Sequence, residues 1–290
     1  MSAAPKPIDL VGALRPTQWT KNLVVFAGAI FAMRFDAWAL GLSGLMFLSL
    51  CLISGSTYVA NDLRDIERDR LHPRKRTRPI ASGAVSPMQA GVMAAVALAG
   101  GLGLAWLAGP RGLIAVLAYV AFSAAYQLGL KQVFLLDVLV LAAGFAVRAA
   151  AGAFVISVPI SPWLIVCSML LAMFLALAKR RHELAALGDG AEEHRPVLAS
   201  YTVELVDEFL SVTAAATIVA YSLYTFIAHP SGWMMITIPY VVYGVMRYLY
   251  LVHIKDGGGS PEVVLVRDVP MLVCVGLWIA TSAGVLAYLR

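Results

Sequence analysis

Long apolar runs dominate this sequence, each about as long as the roughly 20 residues that an α-helix needs to cross a bilayer. In the hydrocarbon core only helices and closed barrels satisfy their own backbone hydrogen bonds. With 60% hydrophobic and 13% charged residues, the composition is typical of a membrane protein and not of a soluble domain. The sequence therefore predicts an all-α polytopic membrane protein, a bundle of nine transmembrane helices forming one domain over residues 1–290. The predicted spans are 18–34, 40–60, 87–108, 111–127, 132–154, 160–179, 206–227, 232–251 and 269–289.

The distribution of lysine and arginine predicts the orientation of this bundle. With the N-terminus inside, most of the 22 cations fall on the internal side, whereas Arg34, Arg111 and Arg290 fall on the other side and Arg148 lies within a span. Because positive charge is retained on the cytoplasmic side of a cell membrane, the N-terminus is expected in the cytoplasm and the C-terminus outside. We expect the helices to surround a central cavity open to the cytoplasm, which would hold the active site.

The net charge of +5 does not point to nucleic acid, because the cations crowd into short loops between spans, where anionic lipid and phosphate substrates are the fitting partners. Cys51, Cys167 and Cys274 each fall in a separate apolar run without a partnering histidine. The sequence therefore predicts neither a disulfide framework nor a zinc site.

A cluster of acids stands where the run 40–60 ends. If the helix continues through Asn61 and beyond, Asp62, Asp65 and Asp69 fall at i, i+3 and i+7, so the three carboxylates share one face. Carboxylates in register repel one another unless a cation lies between them, and acids so close to hydrocarbon are unfavourable unless they serve a function. This spacing predicts a Mg²⁺ site formed by the three aspartates.

A basic loop with two prolines, residues 72–79, follows directly and contains Arg74, Lys75 and Arg78. Mg²⁺ takes one or two protein carboxylates and prefers phosphate oxygens and water for its other positions, while arginine and lysine neutralise the remaining negative charge. Acids followed by cations are thus the pattern expected for a metal-bound diphosphate. The alternative interpretation is a solvated helix end followed by a loop that only sets the topology.

Two ionisable residues lie inside one predicted span. Asp137 and Arg148 are 11 positions apart, about three turns, so they share a face but stand roughly 16 Å apart along the helix axis. They are too distant to pair with each other, and each is expected to find a partner on another helix or in a polar cavity.

The acidic and basic stretches together carry a family resemblance. N-D-x-x-D-x-x-x-D followed by H-P-x-K-x-x-R-P, here Asn61 to Pro79, resembles the first signature of the UbiA superfamily of intramembrane prenyltransferases. Three further stretches resemble one branch, the decaprenyl-phosphate phosphoribosyltransferases. These stretches are Arg15–Asn22, Asp137–Gly152 and Lys179–Leu184.

The resemblance implies transfer of 5-phosphoribose from phosphoribosyl diphosphate to a polyprenyl phosphate such as decaprenyl phosphate, with release of diphosphate, in the synthesis of cell-wall arabinan precursors. It implies Mg²⁺ as the cofactor, with Asp62, Asp65 and Asp69 as both catalytic residues and metal ligands. The substrate-binding residues expected are Gln18, Lys21, Asn22, Asn61, Arg74, Lys75, Arg78, Tyr126, Lys131, Asp137, Arg148, Lys179, Arg180, Arg181 and Glu183. Assembly into a homo-oligomer is left open.

One departure from the superfamily pattern bears on the donor. Prenyl-transferring members usually carry a second D-x-x-x-D motif in the loop after the sixth span, where this chain has Lys179, Arg180, Arg181 and Glu183. Three consecutive cations suit a donor with an additional phosphate, such as the 5-phosphate of phosphoribosyl diphosphate.

Two alternatives remain. The first is a prenyltransferase that moves a prenyl group from a prenyl diphosphate to an aromatic acceptor. The second, from a different class, is an ion-coupled transporter, which also buries charged groups in broken helices but places its acids near the middle of the bilayer.

Overall fold

The structure is a computed structural model that describes residues 7–71, 75–187, 196–227, 231–255, 257–259, 263–264 and 267–288. Every regular element within these ranges is helical, so the all-α prediction is confirmed. The α-helices are α1 (Pro7–Ala13), α2 (Ala27–Phe31), α3 (Ala37–Arg64), α4 (Ile66–Leu71), α5 (Pro87–Leu107), α6 (Pro110–Leu128), α7 (Leu136–Val155), α8 (Pro162–Leu187), α9 (Val203–Ile227), α10 (Ile238–Ile254) and α11 (Val269–Tyr288). The 3₁₀-helices are Pro16–Phe26, Lys75–Thr77, Leu130–Gln132, Pro196–Ser200, Trp233–Thr237 and Gly257–Gly259.

Eight helical segments among the described residues are long and apolar enough to cross a membrane. They match the last eight of the nine predicted spans, and the 3₁₀-helix Trp233–Thr237 joins α10 to form one of them. The protein is therefore a polytopic membrane protein. A central cavity open to the cytoplasm stays a prediction.

The predicted span over 18–34 does not form one regular α-helix. This segment begins as the 3₁₀-helix Pro16–Phe26 and continues as the five-residue helix α2. Tertiary contacts account for the difference: Asn22 is buried and donates from its side chain to Ser54 of α3 at 3.4 Å, and the carbonyl oxygen of Val25 lies 1.8 Å from where a Cβ on Gly152 would stand. Only glycine at the end of α7 permits this approach, and hydropathy carries no information about it.

Contacts between Cα atoms divide the chain into two compact units, each described here by itself. The first unit contains the described residues of Met1–Ala29, Arg34–Ser123 and Ala150–Pro159. In it α3 packs on α5, with Ser49 donating to the carbonyl of Gly101 at 2.7 Å and Ser56 to that of Ala94 at 2.8 Å. Ser86 and Gln89 form a capping box that fixes the start of α5.

The second unit contains the described residues of Ile30–Met33, Ala124–Ala149 and Ile160–Arg290. Its core is built mainly where α8, α9 and α10 meet, around Phe174, Leu177, Leu210 and Tyr248. The rings of Phe174 and Tyr248 pack edge to face with their centroids 5.4 Å apart. The single-domain organisation over residues 1–290 stays a prediction.

Candidate active site

The acidic motif lies at the end of α3 and in the short helix α4. The condition that the helix continues through the whole motif is not met at Asp65, where φ of −102° and ψ of 13° interrupt the helix before α4 begins. Asp62 and Asp69 are nevertheless both buried, each 3% exposed, whereas Asp65 is half-buried. Glu67 is exposed and pairs with Arg70 at 3.0 Å, so it points away from the buried pair, as the helical spacing predicts.

Arg78 joins the two buried aspartates. Its Nη1 donates to Asp62 Oδ1 at 3.0 Å and to Asp69 Oδ2 at 2.5 Å. Lys75 lies nearby, with its Nζ 3.9 Å from Asp69 Oδ1. Two buried carboxylates are therefore compensated by cations of the basic loop. The expected role of these acids and cations in binding a metal diphosphate stays a prediction. Arg74 lies outside the described residues.

The oxygen donors at this place fit a hard divalent cation. The side-chain amide oxygen of Asn61 is buried and accepts no hydrogen bond from the described residues. Among the described residues, no cluster of three or more carboxylate, imidazole or thiol groups is arranged to bind a metal ion. Asp62, Asp69 and the Asn61 amide oxygen are the kinds of ligand that Mg²⁺ takes when substrate phosphates and water complete its octahedron.

The predicted residues of the 3₁₀-helix Pro16–Phe26 lie in the same unit. Asn22 is almost fully buried and its side-chain nitrogen contacts Cys51 Sγ at 3.3 Å as well as Ser54. Gln18 and Lys21 are half-buried. Asn22 therefore holds this segment against α3, the helix that also contains Asp62.

A second polar cluster, in the second unit, surrounds Asp137. This carboxylate is 0% exposed and receives hydrogen bonds from Arg180 Nε at 2.8 Å and from the Tyr201 hydroxyl at 2.7 Å. Arg180, 1% exposed, also donates from Nη1 to Glu183 at 2.7 Å. The expectation that Asp137 finds a partner on another helix is confirmed.

Tyr201 completes this cluster from the loop before α9. Its hydroxyl accepts a hydrogen bond from the backbone N–H of Leu135 at 3.0 Å and donates to Asp137. Burial, together with the bond to Asp137, raises the pKa of Tyr201 well above its ordinary value. Tyr201 is therefore a neutral hydrogen-bond donor over the whole physiological pH range.

The three consecutive cations of α8 face three different surroundings, as successive helical positions about 100° apart must. Arg180 lies in the Asp137 cluster, Arg181 donates to Asp207 at 2.6 Å, and Lys179 is exposed. Their expected role as one site for a 5-phosphate stays a prediction, and the structure does not bring the three side chains to one point.

The remaining predicted residues, Tyr126, Lys131 and Arg148, also belong to the second unit. Lys131 Nζ donates to Gln127 at 3.1 Å, and Tyr126 is half-buried at the end of α6. Arg148 is buried, donates to the carbonyl of Gly144 one turn earlier, and lies 5.2 Å from the ring centroid of Phe145.

Two residues of these clusters are absent from the expected site. Arg15 pairs with Asp62 at 2.5 Å, although the sequence marks it only as the first residue of the stretch Arg15–Asn22. Tyr201 is 64 positions from Asp137, and no local pattern marks it. Both contacts join residues far apart in the sequence, so local sequence patterns do not predict them.

Comparison with known proteins gives the family. The model of the UbiA prenyltransferase family matches residues 22–265. This chain belongs to the UbiA prenyltransferase family. It is thus a member of a family of membrane enzymes.

Three relatives match this UbiA protein over most of its length and most of their own. It is 31% identical over 298 residues to the decaprenyl-phosphate phosphoribosyltransferase of Mycolicibacterium smegmatis, with 96% of this chain and 92% of the relative covered. The enzyme of the same name from Mycobacterium tuberculosis H37Rv is 31% identical, with 96% and 94% covered. That of Corynebacterium glutamicum is 30% identical, with 93% and 84% covered.

Solved UbiA structures share the fold of this UbiA protein. A UbiA homologue from Archaeoglobus fulgidus, bound to GPP and Mg²⁺, superimposes with a TM-score of 0.74 at 18% identity and covers 96% of this chain and 99% of its own. The same homologue bound to Cd²⁺ gives a TM-score of 0.70 at 16% identity, with the same coverage. A homologue from Aeropyrum pernix K1 gives 0.70 at 17% identity, covering 91% and 96%.

Proposed function

We propose that this UbiA protein transfers 5-phosphoribose from phosphoribosyl diphosphate to a polyprenyl phosphate, of which decaprenyl phosphate is the expected example. The products are polyprenyl-phosphoryl-phosphoribose and diphosphate. The observation that carries the proposal is the match of about 31% identity, over almost the entire chain, to relatives named decaprenyl-phosphate phosphoribosyltransferase.

The buried acids of the first unit support a diphosphate donor. Asp62 and Asp69 are held at the end of α3 and in α4 with cations around them. Asn61 precedes Asp62 in the chain, and its buried amide oxygen accepts no hydrogen bond from the described residues. In our proposal Asp62, Asp65 and Asp69, with Asn61, hold Mg²⁺. Bound Mg²⁺ would neutralise the diphosphate and stabilise it as a leaving group.

The protein's own side chains supply orientation and charge. The bond from C1 of the ribose to the diphosphate breaks, its electron pair leaves with the diphosphate, and C1 acquires oxocarbenium character before the lipid phosphate oxygen bonds to it. Arg78 and Lys75 stabilise negative charge on the diphosphate. The lipid phosphate is already anionic, so the reaction requires no strong general base.

The topology fits a reaction at the inner surface of a cell membrane. Arg15 pairs with Asp62, so the N-terminal segment and the end of α3 lie on the same side of the membrane. We expect this to be the cytoplasmic side, where soluble phosphoribosyl diphosphate is available. The lipid acceptor reaches the same protein from the bilayer.

Donor competition tests the proposal. Purified protein is incubated with Mg²⁺, decaprenyl phosphate and either phosphoribosyl diphosphate labelled in the ribose or a labelled prenyl diphosphate with an aromatic acceptor. We expect label from phosphoribosyl diphosphate to enter decaprenyl phosphate, no label from the prenyl diphosphate to enter the aromatic acceptor, and chelation of divalent metal to abolish the transfer.

Matched variants locate the chemistry. Asp62→Asn removes a buried carboxylate, whereas Glu67→Gln removes an exposed one from the same motif. We expect loss of transfer in the first and normal transfer in the second. Transfer of a prenyl group by the wild-type protein would favour the aromatic prenyltransferase, and movement of ions without any lipid product would favour a transporter.

A further inference from the structure

Arg15 makes the contact with Asp62 that the expected site does not include. Its Nη2 lies 2.5 Å from Asp62 Oδ1, and its guanidinium carbon lies 5.1 Å from the ring centroid of Tyr58, one turn earlier on α3. Among the described residues, Asp62 is the only hydrogen-bonding partner of this guanidinium, and the side chain is 26% exposed. A planar fork with unused N–H groups therefore stands beside the acidic motif.

The backbone of Arg15 adopts an unfavourable conformation at this position. Its backbone is left-handed, with φ of 53° and ψ of 65°, which is unfavourable for a residue with a side chain. Leu14 packs against Gly55 of α3, where a Cβ would stand 3.0 Å from Leu14 Cδ2, and Trp19 donates to the Leu14 carbonyl at 3.3 Å. Residues that persist in such backbone conformations are held by their surroundings and cluster at functional sites.

The charges around Asp62 point to an anionic ligand. Oδ1 of Asp62 accepts from both Arg15 and Arg78, and Lys75 approaches Asp69. Arg15, Arg78 and Lys75 therefore all lie near the two buried carboxylates of this cluster. A divalent cation taken up by the carboxylates would displace these cations from their partners, and a polyanion would balance their charge.

We infer that Arg15 is a further substrate-binding residue. When the Asp62 carboxylate binds metal, the Arg15 guanidinium leaves this carboxylate and binds the diphosphate of the donor instead. The inference rests on the proposed function, because it needs a metal-bound diphosphate at this site. The stack on Tyr58 and the left-handed backbone keep the guanidinium in place during the exchange. The fork of an arginine binds two phosphate oxygens at once, which a lysine cannot do.

A purely structural role makes a different prediction. If Arg15 only fastened the N-terminal segment to α3, its loss would disturb Asp62 and weaken the binding of every ligand there. If it exchanges partners, its loss frees Asp62 for metal and removes a contact to diphosphate. The affinity for Mg²⁺ then rises or stays the same, whereas the affinity for diphosphate falls.

Calorimetric titration of the purified full chain separates these cases. Mg²⁺ alone and Mg²⁺ with inorganic diphosphate are titrated into wild type, Arg15→Gln, Arg15→Lys and Arg68→Gln, the last removing an equal charge from the exposed side of the same motif. For Arg15→Gln we expect diphosphate binding to weaken about tenfold to a hundredfold, while Mg²⁺ alone binds at least as tightly as to wild type. Arg15→Lys should show a smaller loss for diphosphate, and Arg68→Gln should match wild type.

The outcomes distinguish the inference from the proposed function. Weaker binding of both ligands to Arg15→Gln, or unchanged binding of diphosphate, would overturn the role of Arg15 alone. Failure of wild type to bind Mg²⁺ with diphosphate would overturn the proposed function and the inference together. If Arg15→Gln does not fold, Arg15→Lys decides: undiminished diphosphate binding would overturn the inference, and a loss for diphosphate without a loss for Mg²⁺ supports it.

Discussion

Replacing Lys179, Arg180 and Arg181 by glutamine, one at a time, should separate three neighbours that the sequence presents as a single basic cluster. Arg180 is 1% exposed and bonded to two carboxylates, Asp137 at 2.8 Å and Glu183 at 2.7 Å. Lys179 is exposed, and Arg181 forms a partly exposed pair. We therefore expect Arg180→Gln to destabilise the protein far more than either neighbouring substitution.

The magnitude follows from the burial of Asp137. Removing one partner of a buried ion pair leaves an uncompensated charge and typically costs about 3–5 kcal/mol. The hydroxyl of Tyr201 still donates to Asp137 at 2.7 Å, so we expect the lower end of that range, about 3 kcal/mol, for Arg180→Gln. Exposed ion pairs contribute about 0–1 kcal/mol, which is the range expected for Lys179→Gln and Arg181→Gln.

Unfolding of the three purified variants in one detergent measures the order. Tryptophan fluorescence followed against temperature or denaturant gives the midpoint for each variant beside wild type. Arg180→Gln should have the lowest midpoint, and the other two should lie close to wild type. Equal stability of all three variants would refute the reasoning that Arg180 compensates a buried Asp137.

Three further predictions concern turnover, donor choice and packing. Asp69→Asn should lower kcat/KM by about a hundredfold or more, because it removes a metal-orienting carboxylate, while Glu67→Gln leaves initial rates unchanged. Lys179→Gln should reduce the preference for phosphoribosyl diphosphate over ribosyl diphosphate lacking the 5-phosphate, and an equal fall in kcat/KM for both donors would exclude that role. Gly152→Ala should lower the unfolding midpoint because its Cβ would stand 1.8 Å from the Val25 carbonyl oxygen, whereas Gly91→Ala, with no atom within 4 Å, should not.

Hydropathy was sufficient to predict most of the helices, because a span has to satisfy its backbone internally and to present apolar side chains to lipid. It failed over 18–34 because the conformation there depends on contacts between distant residues. Asn22 reaches Ser54 on α3, and Gly152 admits the carbonyl of Val25. Such contacts determine whether the segment forms an α-helix or a 3₁₀-helix, and the local composition does not reveal them.

Helical spacing predicted part of the acidic site. Asp62 and Asp69 do turn to one cation, Arg78, even though the helix is interrupted between them at Asp65. The partner Arg15 is 47 positions from Asp62. Periodicity relates residues of one helix to one another, so it has no means to find a partner on a different segment.

Arg180 shows what a pattern of charges in the sequence leaves undetermined. Charge alone indicates Arg180 as a phosphate ligand, and the structure adds that its guanidinium is buried and bonded to Asp137 and Glu183. Its role in substrate binding stays a prediction. A sequence gives the sign of a charge, while burial and pairing decide whether that charge is available to a ligand.

The central claim is tested most directly by the mass of the lipid product and the diphosphate released with it. Purified protein is supplied with Mg²⁺, phosphoribosyl diphosphate and decaprenyl phosphate, and the extracted lipid is examined by mass spectrometry while diphosphate is measured in the aqueous phase. We predict a lipid heavier by one phosphoribosyl group, formed in equal amount to the diphosphate. An unmodified lipid, or diphosphate released without any lipid product, would contradict the assignment of this UbiA protein as a polyprenyl-phosphate phosphoribosyltransferase.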